Sequence, residues 1–422
     1  MNHSRTKLLL AFAMFVISSV VEAADWPRFR GERGSGTSDE TGLPVQWSAD
    51  ENIAWKTPLP GYGASSPVTF GDKIYVTGYS GYGAGDADSA KKKELRLHVI
   101  CLDRGTGQVR WDESIEGNAD EGDYERYVAL HGYASGSPAV NERGVFAFFG
   151  SSGVVAYDHN GKQLWQESVG KKTHQFGTGA SPVLYRDFVI VNASVESDSL
   201  VALDQQSGKE AWQAKNVKQA WNTPILVEAG GEHPEIVLNA GGTLLAFSPE
   251  TGDALWNYAS GTKDYICPSA IAHEGIVYAV CGRRGTTVAV RAGGSGDVTE
   301  THQVWKAKGA SNVPSPVFHD GHLYFVDDKG IANCLDAKTG ENVYQERLPV
   351  SDKVYASLVA ADGKLYCVTR EKGTIVLAAK PKFEQLAHNV IEGDESIFNA
   401  SPVVSQEQLL LRSDRFLYCI GK

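Results

Sequence analysis

The chain of 422 residues is short of basic charge, of cysteine and of methionine, and the first two shortages each exclude something. Forty Lys and Arg against 51 Asp and Glu leave a formal charge of −11. Nucleic acid is therefore not an expected partner, because phosphate binding needs clustered Lys and Arg. The six Cys (Cys101, Cys267, Cys281, Cys334, Cys367 and Cys419) include no adjacent pair and no Cys-x-x-Cys, so their spacing suggests neither a metal site nor a disulfide framework. Cys267 and Cys281 flank one expected hairpin, and a disulfide between them stays open. HExxH, GxSxG, a Walker loop and a clustered His-Cys ligand set are all missing. His131, His174, His302 and His319 stand isolated in loops or turns. Beyond the N-terminus no apolar run is long enough to cross a bilayer.

What is present begins with a targeting signal. Arg5 and Lys7 precede an apolar stretch from Leu8 to Val16, and Val21-Glu22-Ala23 offers small residues for cleavage. Residues 1–23 are expected to be a signal peptide, 24–51 an N-terminal arm, and 52–422 the body of the protein. The protein is expected to be exported, to a periplasm or out of the cell. No Cys stands near the cleavage site, so lipidation there is not expected.

The body is an internal repeat. A small residue followed by Pro, or a relative of that pair, recurs at Ser66-Pro67, Ser137-Pro138, Ser181-Pro182, Thr223-Pro224, Cys267-Pro268, Ser315-Pro316, Ser357-Leu358 and Ser401-Pro402. After a first step of 71 the spacings are 44, 42, 44, 48, 42 and 44. A second mark is a bulky ring at Trp55, Trp111, Trp165, Trp212, Trp256, Trp305 and Tyr344, with Leu386 in the remaining place. Between the marks lie alternating apolar runs, an Asp that can accept from backbone N–H groups, and a Gly turn. Four short strands per period of 40 to 50 residues read as one blade of a propeller. The fold class is therefore all-β, an eight-bladed β-propeller of four-stranded antiparallel blades.

The rings read as wedges packed between neighbouring blades. Cys101, Cys334 and Cys419 fall where other repeats have Ala156, Ala202 and Ala246, and so read as small core residues. The last repeat stops after its third strand, Phe416 to Ile420, while an orphan strand carrying Trp55 precedes the first repeat. That N-terminal strand is expected to complete the last blade and remove both open edges.

The repeat Ala-x-Asp-x-x-Thr-Gly-x-x-x-Trp, as in residues 101–111 and 246–256, resembles the pyrroloquinoline-quinone (PQQ) repeat family, which includes quinoproteins and the assembly propeller BamB. The opening Trp26-Pro27-Arg28-Phe29-Arg30-Gly31 is similar to the start of many exported quinoprotein-like propellers. The resemblance implies one of two activities. The first is a non-catalytic scaffold that binds a protein or cell-envelope component, carries no cofactor and is monomeric. The alternative is a small PQQ-dependent dehydrogenase using the central pocket. Such enzymes need carboxylates and an Asn on a calcium ion and an Asp base, and many stack two adjacent Cys on the quinone; Asp394 or Glu395 near Asn399 is the candidate acid here.

In an antiparallel meander the loop entering each Ser-Pro strand and the loop between second and third strands share one face. That face carries two long insertions, 78–94 with Lys91-Lys92-Lys93, expected to be solvated, and 112–134 with Tyr124, Tyr127, His131 and Tyr133. It also collects Tyr62, Phe176, Trp221, Tyr265, Tyr355, Phe398 and Asn399 with Lys263, Arg283, Arg284, Lys353, Arg370, Arg412 and Arg415. Rings and cations around a channel mouth suit a planar anion, a glycan or a peptide segment.

Overall fold

The alternating runs become strands because β-branched and aromatic residues fit a pleated, half-buried surface. The computed structural model describes residues 25–83, 91–124, 132–230, 234–262, 265–283 and 285–421. Each repeat is a meander. Blade 1 runs Val68–Phe70, Lys73–Ser80, Arg96–Asp103 and Val109–Glu116, from the innermost strand outward. Seven such sheets follow round the axis. Blade 8 is built from Val403–Ser405, Gln408–Arg412 and Phe416–Ile420 with Ile53–Pro58 as its outer strand, Trp55 pairing with Cys419. The two ends of the chain thus share one sheet. Short parallel strands extend two blades: Thr37–Ser38 pairs with the inner strand of blade 7, and Gly296–Asp297 with the outer strand of blade 4.

The tight turns between third and fourth strands hold the wedges. Asp103 accepts from the Thr106 amide at 2.8 Å, and Asp336 from the Thr339 amide at 2.8 Å. The glycine that follows is needed twice over. Gly208 has φ of 73°, and a Cβ there would lie 2.7 Å from the Trp165 ring. The rings of Trp55, Trp111, Trp165, Trp212 and Trp305 lie on the glycine of the next blade's turn, and the last four donate their indole N–H to a carbonyl of that turn, whereas Trp256 donates to Glu235 Oε2 at 2.7 Å. Trp165 Nε1 reaches Gln205 O at 2.8 Å, and Trp305 Nε1 reaches Ala337 O at 2.9 Å.

Room for each ring comes from a small residue beside it on the third strand. Trp165 pairs with Ala156, Trp212 with Ala202, Trp256 with Ala246 and Trp305 with Ala289. Trp111, Tyr344 and Trp55 pair with Cys101, Cys334 and Cys419. Blade 7 reverses the sizes, with Val376 opposite Ala387. The eighth wedge position is therefore Ala387 and not Leu386, which is one residue out of register and 36% exposed. The space is filled from elsewhere. Trp47 of the N-terminal arm, 4% exposed, joins the same buried cluster as Val376 and Ala387, and its amide donates to Asn389 Oδ1 at 3.1 Å.

Removing one buried wedge should cost about 3–5 kcal/mol. Chemical denaturation of Trp165→Ala and Trp47→Ala is expected to show that loss in both. Leu386→Ala should stay within about 0.5 kcal/mol of the parent.

Candidate functional site

The inner strands diverge from one another around the axis, so the amides at their entrances have no strand partner. Each is satisfied instead by a hydroxyl of the next blade. Ser66 N donates to Ser137 Oγ at 2.8 Å, Ser137 N to Ser181 Oγ at 3.0 Å, and Ser181 N to Thr223 Oγ1 at 3.0 Å. Thr223 N donates to Ser269 Oγ, Ser269 N to Ser315 Oγ and Ser315 N to Ser357 Oγ, each at 3.0 Å. Ser357 N reaches Ser401 Oγ at 2.9 Å, and Ser401 N returns to Ser66 Oγ at 3.0 Å. The ring is closed and runs in one direction. Pro commonly follows the ring residue because it has no N–H that would need a further acceptor. In blade 5 the member is Ser269 and not Cys267, which evens the two adjoining spacings to 46.

The ring lines a cavity of about 370 Å³ on the axis. A second tier of lining residues stands two positions before each ring member: Ala64, Ser135, Gly179, Trp221, Cys267, Val313, Tyr355 and Asn399. Phe176, Tyr265, Arg283, Asn312, Asp328 and Lys353 complete the loop side. The back is closed by the arm. Val140 N donates to Pro27 O at 2.8 Å in blade 2, and Arg30 donates to Pro316 O in blade 6. Those blades lie opposite one another, so the residues between must cross the axis, and Phe29 lines the cavity there. Arg30, 2% exposed, also donates to Ser35 O at 2.7 Å, and burial pulls its pKa down to about 9.

The structure sorts the sequence-predicted face. Phe176, Trp221, Tyr265, Arg283, Lys353, Tyr355 and Asn399 line the cavity. Phe176, Trp221 and Tyr265 pack on one another with centroids 5.4–6.0 Å apart and interplanar angles of 52–82°. Trp221 donates its indole N–H to Gly177 O at 2.8 Å. Five others, Tyr62, Phe398, Arg370, Arg412 and Arg415, lie elsewhere. Tyr62 pairs its backbone with Tyr79, and Arg415 sits over its ring. Phe398 stacks on Tyr418. Arg370 is buried behind Tyr355, 5.1 Å from its ring centroid. Arg412, 1% exposed, is turned inward to Ser65, whose carbonyl accepts from it at 2.9 Å. Burial brings the Arg412 pKa down to about 9. Lys263 and Arg284 fall outside the described residues, as do Tyr127, His131 and the expected signal peptide.

Sequence reasoning missed Asn312, Asp328 and the hydroxyl ring as a unit. The signal for the second tier was present, since it keeps a fixed offset from the repeat mark. The opening Trp26 to Gly31 reads as an arm docking its two aromatics on the ring of blades, and Phe29 lines the cavity, but nothing local says which blades the arm crosses.

The described ends of the insertion, up to Tyr124 and from Gly132, are anchored to the wall beside the cavity. Tyr124 and Tyr133 are buried, with ring centroids 4.6 Å apart. Lys92 donates to Glu121 O at 2.7 Å and pairs with Asp123 at 2.9 Å, so this member of the lysine run is engaged rather than solvated. Glu121 accepts from Tyr124 and Ser151, and Glu196 accepts from Thr178. Both carboxylates are buried, and Glu196 Oε2 has no partner. Desolvation, with the Glu121 charge nearby, pushes the Glu196 carboxyl up to about 7.

The cavity does not fit the ion and base that a quinone enzyme of this resemblance needs. Among the described residues Asp328 is the lone carboxylate lining it. Asp394 is held by Tyr418 and by the Ser396 amide, and Glu395 is exposed. No group of three His, Cys, Asp or Glu among the described residues is placed to share a metal ion. Cys267 and Cys281 are both free thiols, and burial pushes the Cys267 thiol up to about 12.

A closed ring of eight antiparallel blades with a one-ended axial pocket defines the class of protein. The chain belongs to the PQQ-repeat propeller family: the family model described as "Outer membrane protein assembly factor BamB" matches residues 150–378 and 297–411. It is 22% identical over 406 residues to the outer membrane protein assembly factor BamB of Yersinia pestis, covering 87% of this chain and 92% of that one. The BamB of Burkholderia pseudomallei is 27% identical over 195 residues, 45% of this chain and 41% of that one. The BamB structure from Moraxella catarrhalis superposes with a TM-score of 0.61 at 13% identity, covering 88% and 99% of the two chains. A europium-containing methanol dehydrogenase reaches 0.64 at 12% identity over 94% and 98%. At those identities the two structures show a shared fold alone.

The folded protein holds the Glu196 proton to a higher pH than the unfolded chain does. Unfolding therefore releases a proton between pH 4.5 and about 7, and stability falls as pH rises through that window. The loss is at most roughly 3 kcal/mol. Denaturation series at pH 5 and pH 8 are expected to show it, and Glu196→Gln should flatten the difference.

Proposed function

We propose that this chain is an exported, non-catalytic propeller that binds a protein or another cell-envelope component through its loop-bearing face. The observation that carries this reading is the makeup of the axial pocket. It offers rings, amides and hydroxyls with two cations at its mouth, and no paired acid and base among the described residues. Arg283 and Lys353 are exposed and have no side-chain partner among the described residues, so their charge is available to a ligand. The relatives named as outer membrane protein assembly factors support a binding role over a catalytic one. No helix of the described residues is long and apolar enough to cross a membrane. Export rests on the N-terminal segment of the sequence, Arg5 to Ala23.

Two measurements test this. Mature protein incubated with PQQ and calcium should reduce no dye in the presence of alcohols or sugars; turnover abolished by a chelator would replace the reading with a quinone enzyme. Saturable binding to a washed envelope fraction of the producing cell is expected, and Arg283→Glu with Lys353→Glu should weaken it about tenfold or more. Envelope binding unchanged by both reversals would move the interaction off this face.

A further inference from the structure

The axial pocket carries more unspent hydrogen-bonding capacity than a scaffold needs. Each of the eight ring hydroxyls accepts one backbone amide, and none has an acceptor for its own O–H among the described residues. A hydroxyl has one proton to give in addition to its lone pairs. The pocket floor is thus a circle of donors, able to serve several acceptor atoms of one ligand at once.

Above the floor stand two amide side chains. Both polar atoms of Asn399 and the Oδ1 of Asn312 are buried without a partner. A buried polar group left unpaired costs about 1–3 kcal/mol, and a turn of either amide toward the axis would let a ligand recover that loss. An amide gives and accepts at adjacent atoms, which matches a vicinal diol. One wall is the Trp221, Phe176 and Tyr265 cluster. Its rings meet at steep angles, so no two parallel faces are available to clamp a flat polycycle between them. Single ring faces suit the C–H face of a pyranose. At the mouth, Arg283 and Lys353 supply two uncommitted cations against the one carboxylate of Asp328. The volume of about 370 Å³ lies at the small-molecule end of ligand sites.

We infer that the axial pocket binds a carboxylated sugar, a uronate, with its hydroxyls on the floor and amides and its carboxylate at Arg283 and Lys353. This rests on the non-catalytic binding reading and narrows it to one ligand class. The blind back end, closed by Phe29, means that the sugar enters from the loop face and cannot thread through. A free saccharide and the end of a uronate-bearing polymer present the same chemistry.

Calorimetric titration of the mature protein with galacturonate, digalacturonate, galactose and PQQ tests the assignment. Digalacturonate is expected to bind, with galactose at least tenfold weaker. Arg283→Gln with Lys353→Gln should bring the charged sugar down to the neutral sugar's affinity while the melting temperature holds. Asn399→Ala should weaken both sugars about fivefold or more. Polygalacturonate binding that rises on shearing at constant mass would identify polymer ends as the source, and binding of the monomer and dimer alone would identify free sugar. Absence of uronate binding, or equal affinity for galactose and galacturonate in the parent, overturns the inference. Envelope binding that survives such a result leaves the scaffold reading standing, whereas PQQ-dependent turnover removes that reading even if a uronate binds.

Discussion

The fold depends on how eight diverging strands satisfy their innermost amides. Backbone N–H groups buried without a partner are expensive, and around this axis the inner strands of neighbouring blades belong to separate sheets and do not pair with one another. A hydroxyl from the next blade does so instead, eight times in one direction. That requirement explains the Ser or Thr at every entrance, and the Pro beside most of them removes one more donor from the same crowded place. The outer end of each blade solves a different problem by a different means. There a bulky ring spans the widening gap in every blade but the seventh, and Trp111, Trp165, Trp212 and Trp305 also cap the next turn through the indole N–H. Polar closure near the axis and apolar wedging farther out together fix the angle between blades.

Most of this architecture was legible in the sequence because both devices repeat. The marks at Ser66 and its successors, the wedges from Trp55 to Tyr344, and the closure of blade 8 by the N-terminal strand follow from period and turn chemistry. The failures were local and have physical reasons. Cys267-Pro268 looks like an entrance, but the hydroxyl that the ring needs belongs to Ser269. Leu386 is apolar and close to the right place, but the register puts Ala387 inward and Trp47 of the arm fills the gap. A residue donated from outside the repeat leaves no periodic trace.

The candidate site was less legible than the fold. Loop residues could be assigned to one face by topology, but the two-residue offset from the ring accounts for only some of those that line the pocket, and Phe176, Tyr265, Arg283 and Lys353 reach it from other places in their loops. Trp221, Tyr355 and Asn399 have that offset and line the pocket. Tyr62, Phe398, Arg370 and Arg412 do not, and they pack into or behind the wall. The long charged side chains were the least predictable, because an Arg can turn inward, as Arg412 does towards Ser65, or stay free at the mouth, as Arg283 does.

The pairing of Ile53–Pro58 with Phe416–Ile420 has a temporal consequence. A strand that precedes the first repeat forms its permanent contacts with one that follows seven complete blades. Until Val403–Ser405, Gln408–Arg412 and Phe416–Ile420 have been made, blade 8 is represented by its outer strand alone. A chain of this design therefore closes its circle only late in synthesis, and loss of Phe416–Ile420 would unfasten the strand at Ile53–Pro58 as well.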